Sequence, residues 1–193
     1  HYASYGMTTS TSKSMGVVNG ESTTTGLWGS YSFPIRTSER LSLALNISDL
    51  HYASVVSSGT SQTLSLSYSR PLSRMLSMSL GGSYTDSRVG AEYLSYHSPT
   101  LTTSLSQRLN TKGTVRAGFS YTGRHFAAPA PRALETRHDD TRRVYCEYAH
   151  RLTPKVSVTV GWQQTSGSSI VPSINKTEGN FYVGISNLLG LSF

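Results

Sequence analysis

Apolar and polar residues alternate along most of this chain with a period of two. Leu41, Leu43, Leu45 and Ile47 hold one set of alternate positions, with Ser42, Ala44, Asn46 and Ser48 on the other side. Leu64, Leu66 and Tyr68 do the same around Ser65 and Ser67. The pattern returns in Leu76, Met78, Leu80, Tyr84; in Leu101, Thr103, Leu105; in Val115, Ala117, Phe119, Tyr121; and in Val156, Val158, Val160, Trp162. Successive side chains of a strand point to opposite faces, so each run predicts a strand with one apolar and one polar side. Ten strands are predicted, over 2–12, 21–34, 39–53, 60–71, 74–88, 94–108, 112–126, 140–152, 155–168 and 179–193. They are long beside the usual 5–6 or so residues of strands in soluble sheets, which weighs against a β-sandwich.

A unit recurs at roughly 40-residue spacing, too short for a four-stranded blade of such long strands. It reads YSFPIRTSERLSL from Tyr31, YSRPLSRMLSM from Tyr68, LSQRLNTKGTV from Leu105 and YAHRLTPKVSV from Tyr148. Each copy is the end of one strand, a tight polar turn and the start of the next. Pro34, Pro71, Asn110, Gly113 and Pro154 suit such turns. Short connections near 35–38, 72–73, 109–111 and 153–154 alternate with longer ones near 13–20, 54–59, 89–93, 127–139 and 169–178. Short turns at one end and long loops at the other are the layout of an outer-membrane barrel.

Composition narrows this further. No apolar run approaches the roughly 20 residues of a membrane helix. Only 36% of the 193 residues are hydrophobic and 14% are charged, yet twelve tyrosines and the sustained alternation argue against disorder. The fold expected is all-β: a transmembrane antiparallel up-and-down β-barrel of about ten strands, or part of a larger barrel, forming one domain over 1–193. Aromatic residues near strand ends fit the two interfacial girdles, with Tyr31, Phe33, Tyr68 and Phe193 at the short-turn end and Tyr84, Tyr121 and Trp162 at the other.

The last strand carries a resemblance. Phe181, Val183, Ile185, Asn187, Leu189, Leu191 and Phe193 share one face; Tyr182, Gly184, Ser186, Leu188, Gly190 and Ser192 share the other. An alternating final strand that ends in Phe resembles the assembly signal of Gram-negative outer-membrane β-barrels. The resemblance implies an outer-membrane location, surrounding lipid and lipopolysaccharide as partners, and recognition by assembly machinery through the strand ending at Phe193. The serine-rich repeat is also similar to strand pairs of two-partner secretion transporters and fimbrial ushers, although no plug or periplasmic domain accompanies it.

The inward positions hold the functional argument. Ser42, Asn46, Ser65, Ser67, Ser77, Ser79, Ser104 and Thr159 are expected to line the lumen, with Arg116 and Glu147 as charged members. Arg143 and Arg151 are the other charges expected on that face. Small hydroxyl side chains do not fill the interior of a ten-stranded barrel, and protein interiors do not hold large voids. The lumen is therefore expected to be a narrow water-filled channel, or a sheath around an exported chain or partner segment. An anchoring barrel that presents its loops to a protein partner or a second copy is the alternative reading.

Other chemistry is thinner. Asp49 and His51 share a strand face, and an Asp-x-His pair near the outer rim resembles omptin proteases. Those enzymes need a second acidic pair, which no Asp-x-Asp here supplies, so no catalytic residue is assigned. His138, Asp139 and Asp140 offer only local ligands, and neither a metal nor a cofactor is expected. The net charge is +7, but the basic residues gather at turns and loops instead of forming a stripe, so nucleic acid is not expected as a partner. Arg124, Arg132, Arg137, Arg142 and Arg143 are expected to make a loop basic patch for phosphates of lipopolysaccharide. The single cysteine, Cys146, falls on an apolar face and has no partner for an internal disulfide.

Overall fold

The computed structural model describes residues 2–14, 20–36, 38–52, 57–131, 133–171 and 175–187. Ten strands follow one another: β1 (Tyr2–Ser14), β2 (Gly20–Arg36), β3 (Glu39–Tyr52), β4 (Gly59–Pro71), β5 (Leu76–Val89), β6 (Tyr96–Arg108), β7 (Gly113–Phe126), β8 (His138–Arg151), β9 (Val156–Ser169) and β10 (Thr177–Asn187). Each pairs antiparallel with its neighbour in chain order, giving one ten-stranded up-and-down sheet. The predicted boundaries hold to within about two residues, apart from the end of the last strand, expected at 193 and outside the described residues. Strand β8 starts two residues early because His138 pairs with His125, and Leu94 belongs to a 3-10 turn, Glu92–Leu94, instead of to β6. A ladder between β10 and β1 is not among the described pairings, and Phe193 lies outside the described residues.

The recurring sequence unit is the short turn. In three copies a polar side chain at the same place bonds the backbone of the turn. Ser73 Oγ accepts from the N–H groups of Met75 and Leu76 at 3.2 and 3.1 Å. Asn110 Oδ1 accepts from Lys112 and Gly113 at 2.8 and 2.7 Å. Thr153 Oγ1 accepts from Lys155 and Val156 at 3.3 and 3.0 Å. Side chains of this kind favour turns because they satisfy backbone donors the strand no longer can. Pro34 sits inside β2 beside a register shift toward Arg36, and Pro71 ends β4, both places where the missing N–H is tolerated. Pro99 is the exception, placed within β6. The β6–β7 ladder skips there, and the buried Ser98 hydroxyl donates to the Gly123 carbonyl at 2.8 Å in its stead.

No apolar side chain among the described residues is buried; apart from glycines, the buried residues are Ser87, Ser95, Ser98 and Asp139. The apolar faces point outward instead. Leu64 and Leu66 are 52% and 50% exposed and lie across from Leu45 and Leu43 on β3. A water-soluble sheet hides such residues, whereas a membrane barrel turns them to lipid and keeps its polar side within.

Candidate functional site

Register decides what meets on the inner face. Hydroxyl groups directly opposite each other bond across the strands: Ser4 to Ser30 and Ser32 to Ser42 at 2.6 Å, Thr63 to Thr85 at 3.0 Å, Thr100 to Thr122 at 3.1 Å and Ser157 to Ser186 at 2.6 Å. These rungs tie the sheet together while leaving each oxygen a further lone pair for water.

The ten lumen-lining residues expected from the sequence share one face of the sheet by register. Five of them, Ser67, Ser79, Ser104, Arg116 and Glu147, line one cavity of about 500 Å³. Asn46 and Ser65 share a second one, beside Trp28. Ser77 lines a third at the short-turn end, with Arg108. Ser42 belongs to a hydroxyl rung, and Thr159 stands opposite Gly184.

The main cavity is organised by charge. Arg116 on β7 lies directly opposite Glu147 on β8 and bonds it, Nη1 to Oε1, at 2.6 Å. The other carboxylate oxygen accepts from the Tyr182 hydroxyl on β10 at 3.0 Å. Glu147 is thus held from both sides, and Arg116 is largely neutralised by it. Arg143 reaches the Gln163 side-chain oxygen and lies over the Tyr145 ring, 5.8 Å from its centre. It has no carboxylate among these contacts, so its charge remains available to the lumen. The inner face carries more charge than the sequence reading assigned: Arg40, Arg108, Arg124, Asp139 and Glu178 also share it by register. Arginines outnumber carboxylates there.

Sequence reasoning missed the inward aromatics. Tyr145 covers Gly118, Tyr182 covers Gly161 and Trp28 covers Gly6, each pair directly opposed on neighbouring strands. A Cβ at Gly118 would stand 2.5 Å from the Tyr145 ring, and one at Gly6 would stand 2.8 Å from the Trp28 indole. The small hydroxyl residues alone suggested an open lumen, without these rings. The missing side chains of the glycines make room for rings laid flat along the wall, a known device for packing glycine in sheets. The available signal was an aromatic on the polar parity of the adjoining strand.

The loop basic patch comes apart. Arg142 and Arg143 lie within β8 on opposite faces, as the strand expected over 140–152 requires, and not in a loop. Arg124 lies over the Tyr96 ring at 4.5 Å, and Arg137 lies over Phe126 at 4.7 Å. Arg137 also pairs with Asp139 at 2.6 Å, and Ser169 on β9 donates a short bond to the same carboxyl. Burial opposes ionisation of Asp139, but these bonds and the charges of Arg137 and Arg124 hold its carboxyl below the usual range. Arg132 lies outside the described residues.

Outside the barrel, above the level of Tyr121, a line of side chains crosses four strands. The Tyr84 and His97 rings stack with centres 6.1 Å apart, and His97 and His125 stack at 4.9 Å. His125 and His138 meet Nδ1 to Nδ1 at 2.6 Å, and His138 Nε2 meets Asp140 at 3.0 Å. Tyr121 donates to the same Asp140 oxygen at 2.6 Å. The Tyr121 hydroxyl, followed by His138, holds the Asp140 carboxyl below its ordinary range. Desolvation, with His138 and His97 close by, holds His125 below the usual imidazole value. Asp49 and His51 pair at 2.9 Å on the outward face of β3, both largely exposed, and do not turn toward the lumen. Cys146 is exposed on the outer face of β8.

No protein-family model matches the chain, and no curated protein matches it. Among solved structures it is similar to the NanC porin in a rhombohedral crystal form, with a TM-score of 0.57 over 97% of each chain at 10% identity. The likeness is one of fold: ten antiparallel strands in the up-and-down order of a β-barrel.

Proposed function

We propose that this chain is an outer-membrane barrel working as a narrow, water-filled channel for small polar solutes, with a preference for anions. The observation that carries the reading is the polarity of the two faces. Leucine and valine point outward, while the inner face carries the hydroxyl rungs and a cavity of about 500 Å³ on which Arg143 keeps its charge. Net positive charge on a confined wall raises the local concentration of anions. The fold shared with the NanC porin supports a channel over an anchoring barrel. The rim-protease reading is not supported, since Asp49 and His51 point away from the mouth.

In this reading the long loops lie outside the cell, the short turns in the periplasm, and the final strand ending at Phe193 is read by the assembly machinery. The test is conductance in planar bilayers with unequal salt on the two sides. The wild-type reversal potential should show anion preference. Glu147→Gln, which frees Arg116, should strengthen it, and Arg143→Gln should weaken it. A folded wild-type barrel that passes no current removes the channel reading and leaves the anchor.

A further inference from the structure

The outward line of histidines has no part in conduction, and its place is informative. On the outer-membrane orientation proposed above, on which this inference rests, it stands just beyond the aromatic level of Tyr84 and Tyr121, where the apolar band ends and lipid headgroups begin. The groups facing it are Tyr84, Asp86 and Arg88 from β5, His97 from β6, Tyr121 and His125 from β7, and His138, Asp140 and Arg142 from β8. The neighbouring positions of β9, Gln164, Ser166 and Ser168, carry no titratable group. Both carboxylates are already engaged inside the cluster, Asp86 by Arg88 at 2.8 Å and Asp140 by Tyr121 and His138.

From this arrangement we propose that the outer rim across β5 to β8 is a docking surface for a phosphate group of an outer-leaflet glycolipid, engaged when the histidines take up protons. His138 gives its Nε2 proton to Asp140, which leaves its Nδ1 as an acceptor for His125. The neutral pair is thus closed on itself and offers no donor outward. The first proton taken up goes to the free His125 Nε2 and leaves the contact intact; the next, on His138 Nδ1, puts N–H on both facing nitrogens, so the 2.6 Å contact cannot persist and the rings must part. Two cationic donors then face the headgroup layer beside Arg142, and His97, exposed and stacked on His125, adds a third. A phosphate monoester, which carries one to two negative charges around its second pKa of about 6, matches that set in charge and in its acceptor oxygens. The surface is separate from the lumen and stands whether or not the barrel conducts.

The experiment measures binding of bisphosphorylated lipid A to the whole protein in detergent, beside the dephosphorylated glycolipid and inorganic phosphate. Affinity for the phosphorylated lipid should rise about tenfold between about pH 8 and about pH 5, roughly one charge-assisted hydrogen bond. His125→Asn with His138→Asn should flatten that rise, whereas His150→Asn, at the short-turn end of β8, should leave it unchanged. Arg142→Gln should weaken binding at both pH values. Wild-type binding that ignores pH, or that is equal for the dephosphorylated lipid, overturns the proposal without recourse to any variant. Inorganic phosphate bound as tightly as the lipid overturns the glycolipid as occupant.

Discussion

Replacing Gly118 with alanine adds a single methyl group to the inner wall. That methyl would stand 2.5 Å from Tyr145 Cε1 and 2.6 Å from Cζ and the hydroxyl oxygen, against about 3.5–4.0 Å for ordinary contact. The ring must retreat by about 1 Å into the lumen, and overpacking of this kind costs about 1–3 kcal/mol. Alanine restricts the unfolded chain and returns about 0.4–1 kcal/mol, so the net loss should be about 1–2 kcal/mol. Gly184 is the control, because it also faces inward and a Cβ there meets nothing within 4 Å. Gly184→Ala should be neutral or stabilising by about 0.4–1 kcal/mol. Both follow from urea unfolding of the folded barrel in lipid vesicles, read through the two tryptophans. In a Tyr145→Ala background the cost at Gly118 should vanish, a coupling of about 1 kcal/mol or more. In Tyr145→Phe it should persist, because the ring remains. Equal effects at Gly118 and Gly184, or a cost that survives removal of the ring, would refute the aromatic-over-glycine account.

Three further outcomes are expected. Leu66→Arg should destabilise the barrel by about 2–4 kcal/mol if it lies near the bilayer midplane, while Ser67→Arg should cost clearly less; equal costs in the same urea titration would reverse the face assignment. Cysteines at Ser58 or Gly90 should react with an impermeant maleimide on intact cells, and cysteines at Ser73 or Asn110 should not; the opposite labelling would invert the orientation. The Tyr121 hydroxyl, followed by His138, holds the Asp140 carboxyl below the ordinary aspartate range, so its contribution to stability is present above that range and is lost as pH falls through the lowered value. Asp140→Asn should therefore flatten the acid limb of the unfolding curve below about pH 4, and an unchanged limb would show that Tyr121 and His138 do not hold the carboxylate.

What was legible in the sequence was local. Period-two alternation marked the strands and their faces, and the repeated turn was visible because Ser73, Asn110 and Thr153 act within two or three residues of themselves. What was not legible depends on which residue of one strand lies opposite which residue of the next. Gly118 and Tyr145 are separated by a long loop in sequence, and so are His125 and His138, yet register makes them neighbours. The arginine patch failed for a related reason. The patch grouped by sequence proximity arginines that a strand separates: Arg142 and Arg143 fall within the strand expected from 140 and take opposite faces by alternation, while the His125–His138 pairing carries β8 back to Asp139. The extra inward charges, Arg108 and Arg124 among them, sit near strand ends where the alternation was not followed to its limit.

The hydroxyl rungs have a consequence for how the wall behaves toward a passing ion. In each rung either oxygen can be the donor, so the bond between Ser4 and Ser30, or between Ser157 and Ser186, can reverse its direction by rotating two hydrogens. A lining of reversible dipoles resembles a thin layer of solvent fixed in position: it turns hydrogens toward an anion and lone pairs toward a cation. Such a lining lowers the self-energy of either ion without choosing between them. Discrimination must then come from the few groups that cannot reverse, and Arg143, with Arg116 bound to Glu147, concentrates that choice at one level of the barrel.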